Sequence, residues 1–292
     1  MLAYHALRAD NDASFIATDI VYPRDNVVAH DPDKDNQMPT INRNGVKLYY
    51  EMHGEGPPLL LTHGYSATSA MWRGQIAALA RHHTLILRDM RGHGQSDYPD
   101  DPLAYSEAET VTDMAALLDE VGAAKAIIGG LSLGGYMSLG FHHAHPLRVR
   151  ALLIIDTGPG FKKDDARATW NARAHETGSR FERAGLDVLK SASRERSQAE
   201  HRNAKGLALA ARGMLAQRDA HVIESLPGIA VPSLVIVGAD DTPFLAASDY
   251  MAAKIPGARK AVIPHAGHAA NIDQPQAFND AVTAFLAELP PA

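Results

Sequence analysis

Apolar residues recur along this chain in two rhythms. Short, nearly unbroken runs stand at Leu59 to Thr62, Thr84 to Leu87, Ala126 to Ile128, Ala151 to Ile155 and Ser233 to Val237, with a weaker one at Lys260 to Ile263. Runs of that kind, without alternation, mark strands buried on both faces. Between them Ala70 to Arg81, Glu107 to Val121, Leu133 to His143, Ala246 to Ile255 and Pro275 to Leu289 place apolar residues three and four apart, as one face of a helix does. Ahead of all these, Thr40 to Met52 alternates around Asn44-Gly45, the pair favoured in a two-residue type I′ turn, and predicts a β-hairpin. Strand and helix alternate. The expectation is an α/β domain with a mostly parallel, eight-stranded sheet and helices on both faces.

The rhythm is absent in two places. Residues 1–38 are polar and rich in Asp and Asn, most plainly at Asp31-Pro-Asp-Lys-Asp-Asn-Gln. They read as an extension with little core, available to pack on the body or on a partner subunit, so a homo-oligomer is among the expectations. From Phe161 to Glu224 there is no strand pattern, only helical stretches such as Arg180 to Ser191 and Ala199 to Gln217. The organisation is therefore an extension over 1–38, a core over 39–160 and 225–292, and an inserted helical cap over 161–224. The cap carries 13 Lys and Arg against 9 Asp and Glu, a charge of +4, and since the whole chain carries −6 the remainder carries −10. That split predicts attraction between cap and body and a preference for acidic substrates.

Composition narrows the chemistry. At 292 residues, 46% hydrophobic and 21% charged, the chain is of ordinary globular make. Its lack of Cys excludes thiol nucleophiles, disulfides and Cys-ligated metals. Mild acidity without a basic stripe outside the cap argues against nucleic acid as a partner. No apolar run approaches the roughly 20 residues of a membrane span, and the first ten residues lack a secretory pattern, so a soluble, cytoplasmic protein is expected.

Gly130-Leu131-Ser132-Leu133-Gly134 directly follows one strand pattern and directly precedes a helical one. This is the context of a nucleophile elbow, in which a Ser on a strained turn needs small residues two before and two after it. A Ser hydroxyl needs a base, and the base needs an acid to orient it. Asp240 and Asp241 follow the strand pattern ending at Gly238, and Gly267-His268 follows the next. Both would converge at the carboxyl edge of a parallel sheet.

With Thr62-His63-Gly64-Tyr65 and Asp89-Met-Arg-Gly-His-Gly-Gln-Ser96 in the same order, the chain from Pro39 onward resembles the α/β-hydrolase superfamily, in particular its Ser-triad esterases and enol-lactonase-like members with a helical cap. The resemblance implies Ser132 as nucleophile, His268 as base and Asp241 as acid, with Asp240 in reserve. It also implies an oxyanion hole from the backbone amides of Tyr65 and Leu133. His63 becomes a loop-shaping residue, and Asp89, Arg91 and His93 a brace. Trp72, Phe161, Trp170 and Phe244 are candidates for the substrate pocket, each equally suited to the core. No metal and no cofactor is implied.

The expected reaction is hydrolysis of a small carboxylic ester or lactone, of short to medium acyl length, through an acyl-enzyme. Activity is expected to rise through roughly pH 6 to 8 as the His loses its proton. Ser at the elbow excludes the haloalkane dehalogenase and epoxide hydrolase mechanisms, which use Asp there. C–C bond hydrolases, cofactor-free perhydrolases and acyl-homoserine lactonases share the same triad. The reading of another class is a non-catalytic ligand receptor on the same fold.

Overall fold

The computed structural model describes residues 39–291, so the expectations for the 1–38 extension lie outside the described residues. Eight strands, β1 (Thr40–Arg43), β2 (Val46–His53), β3 (Pro58–Thr62), β4 (Thr84–Arg88), β5 (Ala126–Leu131), β6 (Val149–Ile155), β7 (Ser233–Gly238) and β8 (Arg259–Ile263), form one sheet in the order β1-β2-β4-β3-β5-β6-β7-β8. The helices are α1 (Arg73–Leu79), α2 (Glu107–Glu120), α3 (Leu133–Ala144), α4 (Asp164–Ala184), α5 (Arg194–Ser197), α6 (Ala204–Ala210), α7 (His221–Ser225), α8 (Thr242–Lys254), α9 (Ala270–Asp273) and α10 (Pro275–Ala287).

The hairpin forms where the alternation places it, with Asn44 at φ 53° and Gly45 at φ 84°, both left-handed as a type I′ turn demands. β2 runs antiparallel to β4, and from β4 across to β8 the neighbours are parallel. Every residue of β5 and β7 is buried, which is why their sequences read as continuous apolar runs. Successive strand residues alternate between two cores: Leu60, Ile86, Ile128 and Val235 pack with Met114, Met137 and Met251, while Leu59, Leu85, Ile127 and Ile236 pack with Trp72, Phe278 and Phe285. Helices thus cover both faces.

Two features of this topology position a site. From β3 the chain steps to β4 on one side, and the next strand, β5, pairs with β3 on its other side. A crevice opens outside the carboxyl ends of neighbouring strands at such a reversal, and the loops after β3 and β5 border it.

The second feature is the segment between β6 and β7, which holds only helical elements among the described residues. Its first helix is longer and earlier than the periodicity of Arg180 to Ser191 predicts. α4 spans Asp164–Ala184 and stops at Gly185, whose φ of 59° breaks the helix inside the expected stretch. The stretch from Ala199 to Gln217 is likewise interrupted, because Asn203 caps α6 by accepting from the Gly206 amide.

Candidate active site

Ser132 sits between β5 and α3 with φ 55° and ψ −116°, a conformation sparsely populated by residues with a Cβ. The turn is held by its neighbours: the Ser132 amide donates to the Ile155 carbonyl at 2.9 Å, and the Thr157 hydroxyl donates to the Ser132 carbonyl at 2.7 Å. The flanking glycines are steric necessities. A Cβ on Gly130 would lie 2.7 Å from the Thr62 carbonyl oxygen and collide with the Gly134 carbonyl, and one on Gly134 would collide with Thr62 and lie 2.7 Å from the His63 oxygen. β5, α3 and the loop after β3 can therefore meet only with glycine at both positions.

That loop comes with them. A Cβ on Gly64 would stand 3.4 Å from the Ser132 Cβ, so Tyr65, the next residue, borders the same crevice. The Leu133 amide, at the first position of α3, has no intrahelical acceptor. The loop is fastened by its surroundings. His63 is fully buried, with Nε2 accepting from the Met90 amide at 3.0 Å, so Nδ1 carries the hydrogen and donates to the Gly64 carbonyl at 2.7 Å. Burial pulls its pKa down to about 3. With both nitrogens occupied, His63 shapes the loop and has no lone pair to offer a substrate.

The segment between β6 and β7 holds the same loop through three residues. Arg196 Nε donates to Ser66 Oγ at 2.7 Å, His201 Nε2 meets the Ser66 carbonyl at 3.1 Å, and the Tyr65 hydroxyl donates to the Leu207 carbonyl at 2.8 Å. Asp89 braces the loop after β4 by accepting from the amides of Ser69 and Gln95, at 2.7 and 2.8 Å. Arg91 makes a two-pronged ion pair with buried Asp113, at 2.6 and 2.7 Å.

Asp241, buried at the start of α8, and His268, between β8 and α9, are brought to 2.9 Å through Oδ2 and Nδ1. A carboxylate only accepts, so His268 carries its hydrogen on Nδ1 and leaves the Nε2 lone pair free. Asp240 is exposed. The two loops are stitched together by the amides of Ala239 and Asp240, each donating at 2.9 Å, to Ile263 and Ala266 respectively. Gly238 permits this approach, since a Cβ there would collide with the carbonyls of Ala266 and Gly267.

Three groups tune His268. Burial alone pulls its pKa down, but the hydrogen bond and charge of Asp241, with the charges of Asp156 and Glu195, outweigh burial and leave it raised. Asp156, fully buried at the end of β6, accepts from the Gly238 amide at 2.7 Å and the Ala270 amide at 3.3 Å. Burial pushes its own pKa up to about 7. The sequence pattern gave no reason to single out this carboxyl, because nothing local to it differs from a strand-ending Asp in a loop.

A cavity of about 270 Å³ adjoins Ser132 and Leu133. Phe161, Trp170 and Phe244, three of the four aromatic candidates, line it. Phe244 also stacks on His268, with ring centroids 5.0 Å apart, and so touches both sides of the site. Trp72 does not belong to the cavity. It is fully buried in the opposite core, 6.4 Å from the Phe278 ring, because α1 packs against the face of the sheet away from α3. No hydrogen bond joins Ser132 Oγ to His268 Nε2 here; such bonds are commonly long in a free enzyme and tighten around substrate.

Residues 57–207 match the profile of the α/β-hydrolase fold. The chain belongs to that family. Among individual relatives of this α/β-hydrolase, 3-oxoadipate enol-lactonase 1 of Acinetobacter baylyi is 28% identical, over 84% of this chain and 95% of the relative. Among solved structures, the enol-lactonase from Burkholderia xenovorans is similar at a TM-score of 0.70 and 28% identity, over 86% of this chain and all of that one. The malate-bound thermophilic esterase from Thermogutta terrifontis is similar at a TM-score of 0.72 and 28% identity, over 86% of this chain and 97% of the other.

Proposed function

We propose that this chain is a serine hydrolase of small carboxylic esters or lactones, with Ser132, His268 and Asp241 as its triad. Ser132 Oγ attacks the carbonyl carbon while its proton passes to His268 Nε2. The amides of Tyr65 and Leu133 stabilise the charge that develops on the carbonyl oxygen. Collapse of the tetrahedral species returns the proton from His268 to the leaving alkoxide and leaves an acyl group on Ser132. Water, deprotonated by the same His, then releases the acid.

The observation that carries this reading is the bond between His268 Nδ1 and Asp241 Oδ2 at 2.9 Å, linked to the elbow Ser at φ 55° by Phe244, which stacks on His268 and lines the cavity at Ser132. It frees Nε2 to act as base, which a ligand receptor does not need. The named relatives include enol-lactonases and an esterase, beside one provisionally named a synthase and one provisionally named a carbamate hydrolase, and the former support acyl chemistry here. The cavity of about 270 Å³ lies near the lower end of the roughly 300–1,000 Å³ usual for small-molecule sites, which favours short acyl groups.

The test is labelling with a fluorophosphonate probe, followed by turnover of p-nitrophenyl esters from two to twelve carbons and of lactones. Modification at Ser132, with turnover lost in Ser132→Ala, is the expected result. Folded protein that neither labels nor turns over these substrates would sink the proposal.

A further inference from the structure

The cavity beside Ser132 is mostly apolar, walled by Leu133, Tyr136, Phe161, Leu215 and Phe244 among others. Arg173 is the one charged side chain among the described residues that line it. Arg173 is exposed to solvent as well as lining the cavity, so its guanidinium stands where the apolar wall meets water.

Its placement is built. α4 carries Trp170 and Arg173 one turn apart, on the same side of the helix. The helix is pinned there: Trp170 Nε1 donates to the Leu215 carbonyl at 2.8 Å, and Asn171 exchanges two hydrogen bonds with the Gln217 backbone, each 2.8 Å. Arg167 pairs with Asp164, Arg183 with Glu176 and Arg212 with Glu182, whereas Arg173, like Arg180, Arg194 and Arg218, has no carboxylate partner among the described residues; of these four only Arg173 lines the cavity.

Gln217 supplies an independent sign. It lines the same cavity, it is buried, and its side-chain Oε1 has no hydrogen-bond partner among the described residues. A buried amide left unmet costs roughly 1–3 kcal/mol, and a ligand that meets it recovers that cost. Because the two ends of a Gln amide are exchangeable by rotation, the same group can turn its NH₂ toward an anion.

We propose that Arg173 and Gln217 form a carboxylate subsite in the cavity beside Ser132, so that the acyl chain of the substrate ends in a free acid. The inference rests on the ester-hydrolase reading for where the cleaved bond lies; the binding claim concerns the cavity alone. A guanidinium presents its donors in the fork that a carboxylate accepts, and the apolar walls take the methylenes between that carboxylate and the scissile carbonyl. A neutral chain of equal length fills the same space and leaves the cation unpaired.

The experiment compares kcat/KM for the p-nitrophenyl monoester of glutaric acid and for p-nitrophenyl pentanoate, with spontaneous hydrolysis subtracted. The wild type is expected to favour the acidic ester at least tenfold. Arg173→Gln lowers that ratio at least tenfold and Arg173→Lys less. Arg180→Gln, which removes the same charge from a position on the same helix that does not line the cavity, leaves it where it was. In parallel, calorimetry with glutarate is expected to show binding to Ser132→Ala and its loss on adding Arg173→Gln.

A wild type without preference, a ratio that ignores Arg173, or glutarate binding that survives Arg173→Gln overturns the subsite. If esters turn over through Ser132 while the ratio ignores Arg173, the subsite falls and the hydrolase reading stands. If glutarate binds through Arg173 but no ester is cleaved, the hydrolase reading falls and the subsite stands.

Discussion

His268 Nδ1 lies 2.9 Å from Asp241 Oδ2, while the adjacent carboxyl of Asp240 is exposed to solvent. An acid that holds the imidazole in the tautomer with a free Nε2 is worth about 10⁴ in kcat in serine hydrolysis. Asp241→Asn is therefore expected to lower kcat by about 10³- to 10⁴-fold, and Asp240→Asn by less than about threefold. Steady-state kinetics on both variants check this; equal losses would mean that the pairing is not the functional one.

The pH dependence follows from the charges around His268. The base must be neutral to act, and its pKa is raised, so the acid limb of kcat/KM is expected to have its midpoint above 6.5. Asp156 contributes to that rise. Removing its negative charge in Asp156→Asn makes the protonated His less favourable, so the limb moves to lower pH. Because Asp156 itself titrates near 7, the wild-type limb reports the coupled pair. A limb in Asp156→Asn that moves up or stays in place would contradict this arrangement.

Asp156 also makes a statement about stability. Its folded pKa, about 7, lies above the 3.8 of a free carboxyl, so the folded state holds the proton longer than the unfolded state. Its contribution is full below about pH 4 and is lost as the pH rises to about 7. Unfolding in denaturant at pH 4 and pH 8 is expected to show wild type losing stability relative to Asp156→Asn across that interval.

The elbow admits no Cβ. In Gly134→Ala the new methyl meets the carbonyls of Thr62 and His63, which are fixed in the β3 strand and its loop. Overpacking of this kind costs about 1–3 kcal/mol, or more where backbone must shift, and about 2–4 °C of melting temperature per kcal/mol. A drop of at least about 5 °C by calorimetry, with loss of Ser132 labelling, is the expected outcome.

In the proposed hydrolase the cavity takes the acyl group, and its aromatic end would limit chain length. From wild type, kcat/KM is expected to fall between the four-carbon and twelve-carbon p-nitrophenyl esters. Trp170 lines the cavity and is fixed to Leu215, so Trp170→Ala opens room and raises the eight-carbon to four-carbon ratio several-fold. Highest wild-type turnover on the twelve-carbon ester would refute the fit.

Much of the architecture is local information. The buried strands are legible because a strand covered on both faces must be apolar throughout, the hairpin because Asn44-Gly45 accepts positive φ twice, and the elbow because Gly130 and Gly134 sit two residues either side of Ser132. Helix limits between β6 and β7 are less legible, since Gly185 ends α4 inside a stretch whose periodicity continues past it.

What the chain alone determines is thus set by near neighbours: element types, the elbow, and the order along the chain of Ser132, the Asp240-Asp241 pair and His268. Tertiary structure decides everything that depends on which distant surfaces meet. It separates Asp241 from Asp240 through loops joined across the ends of β7 and β8, and it sends Trp72 to the core while Trp170 reaches the cavity. It alone reveals the charge of Asp156 acting on His268 and Arg173 on the cavity that Ser132 also lines. An aromatic or charged residue at helical spacing has the same local pattern whichever way its helix packs, and only the packing gives it a partner.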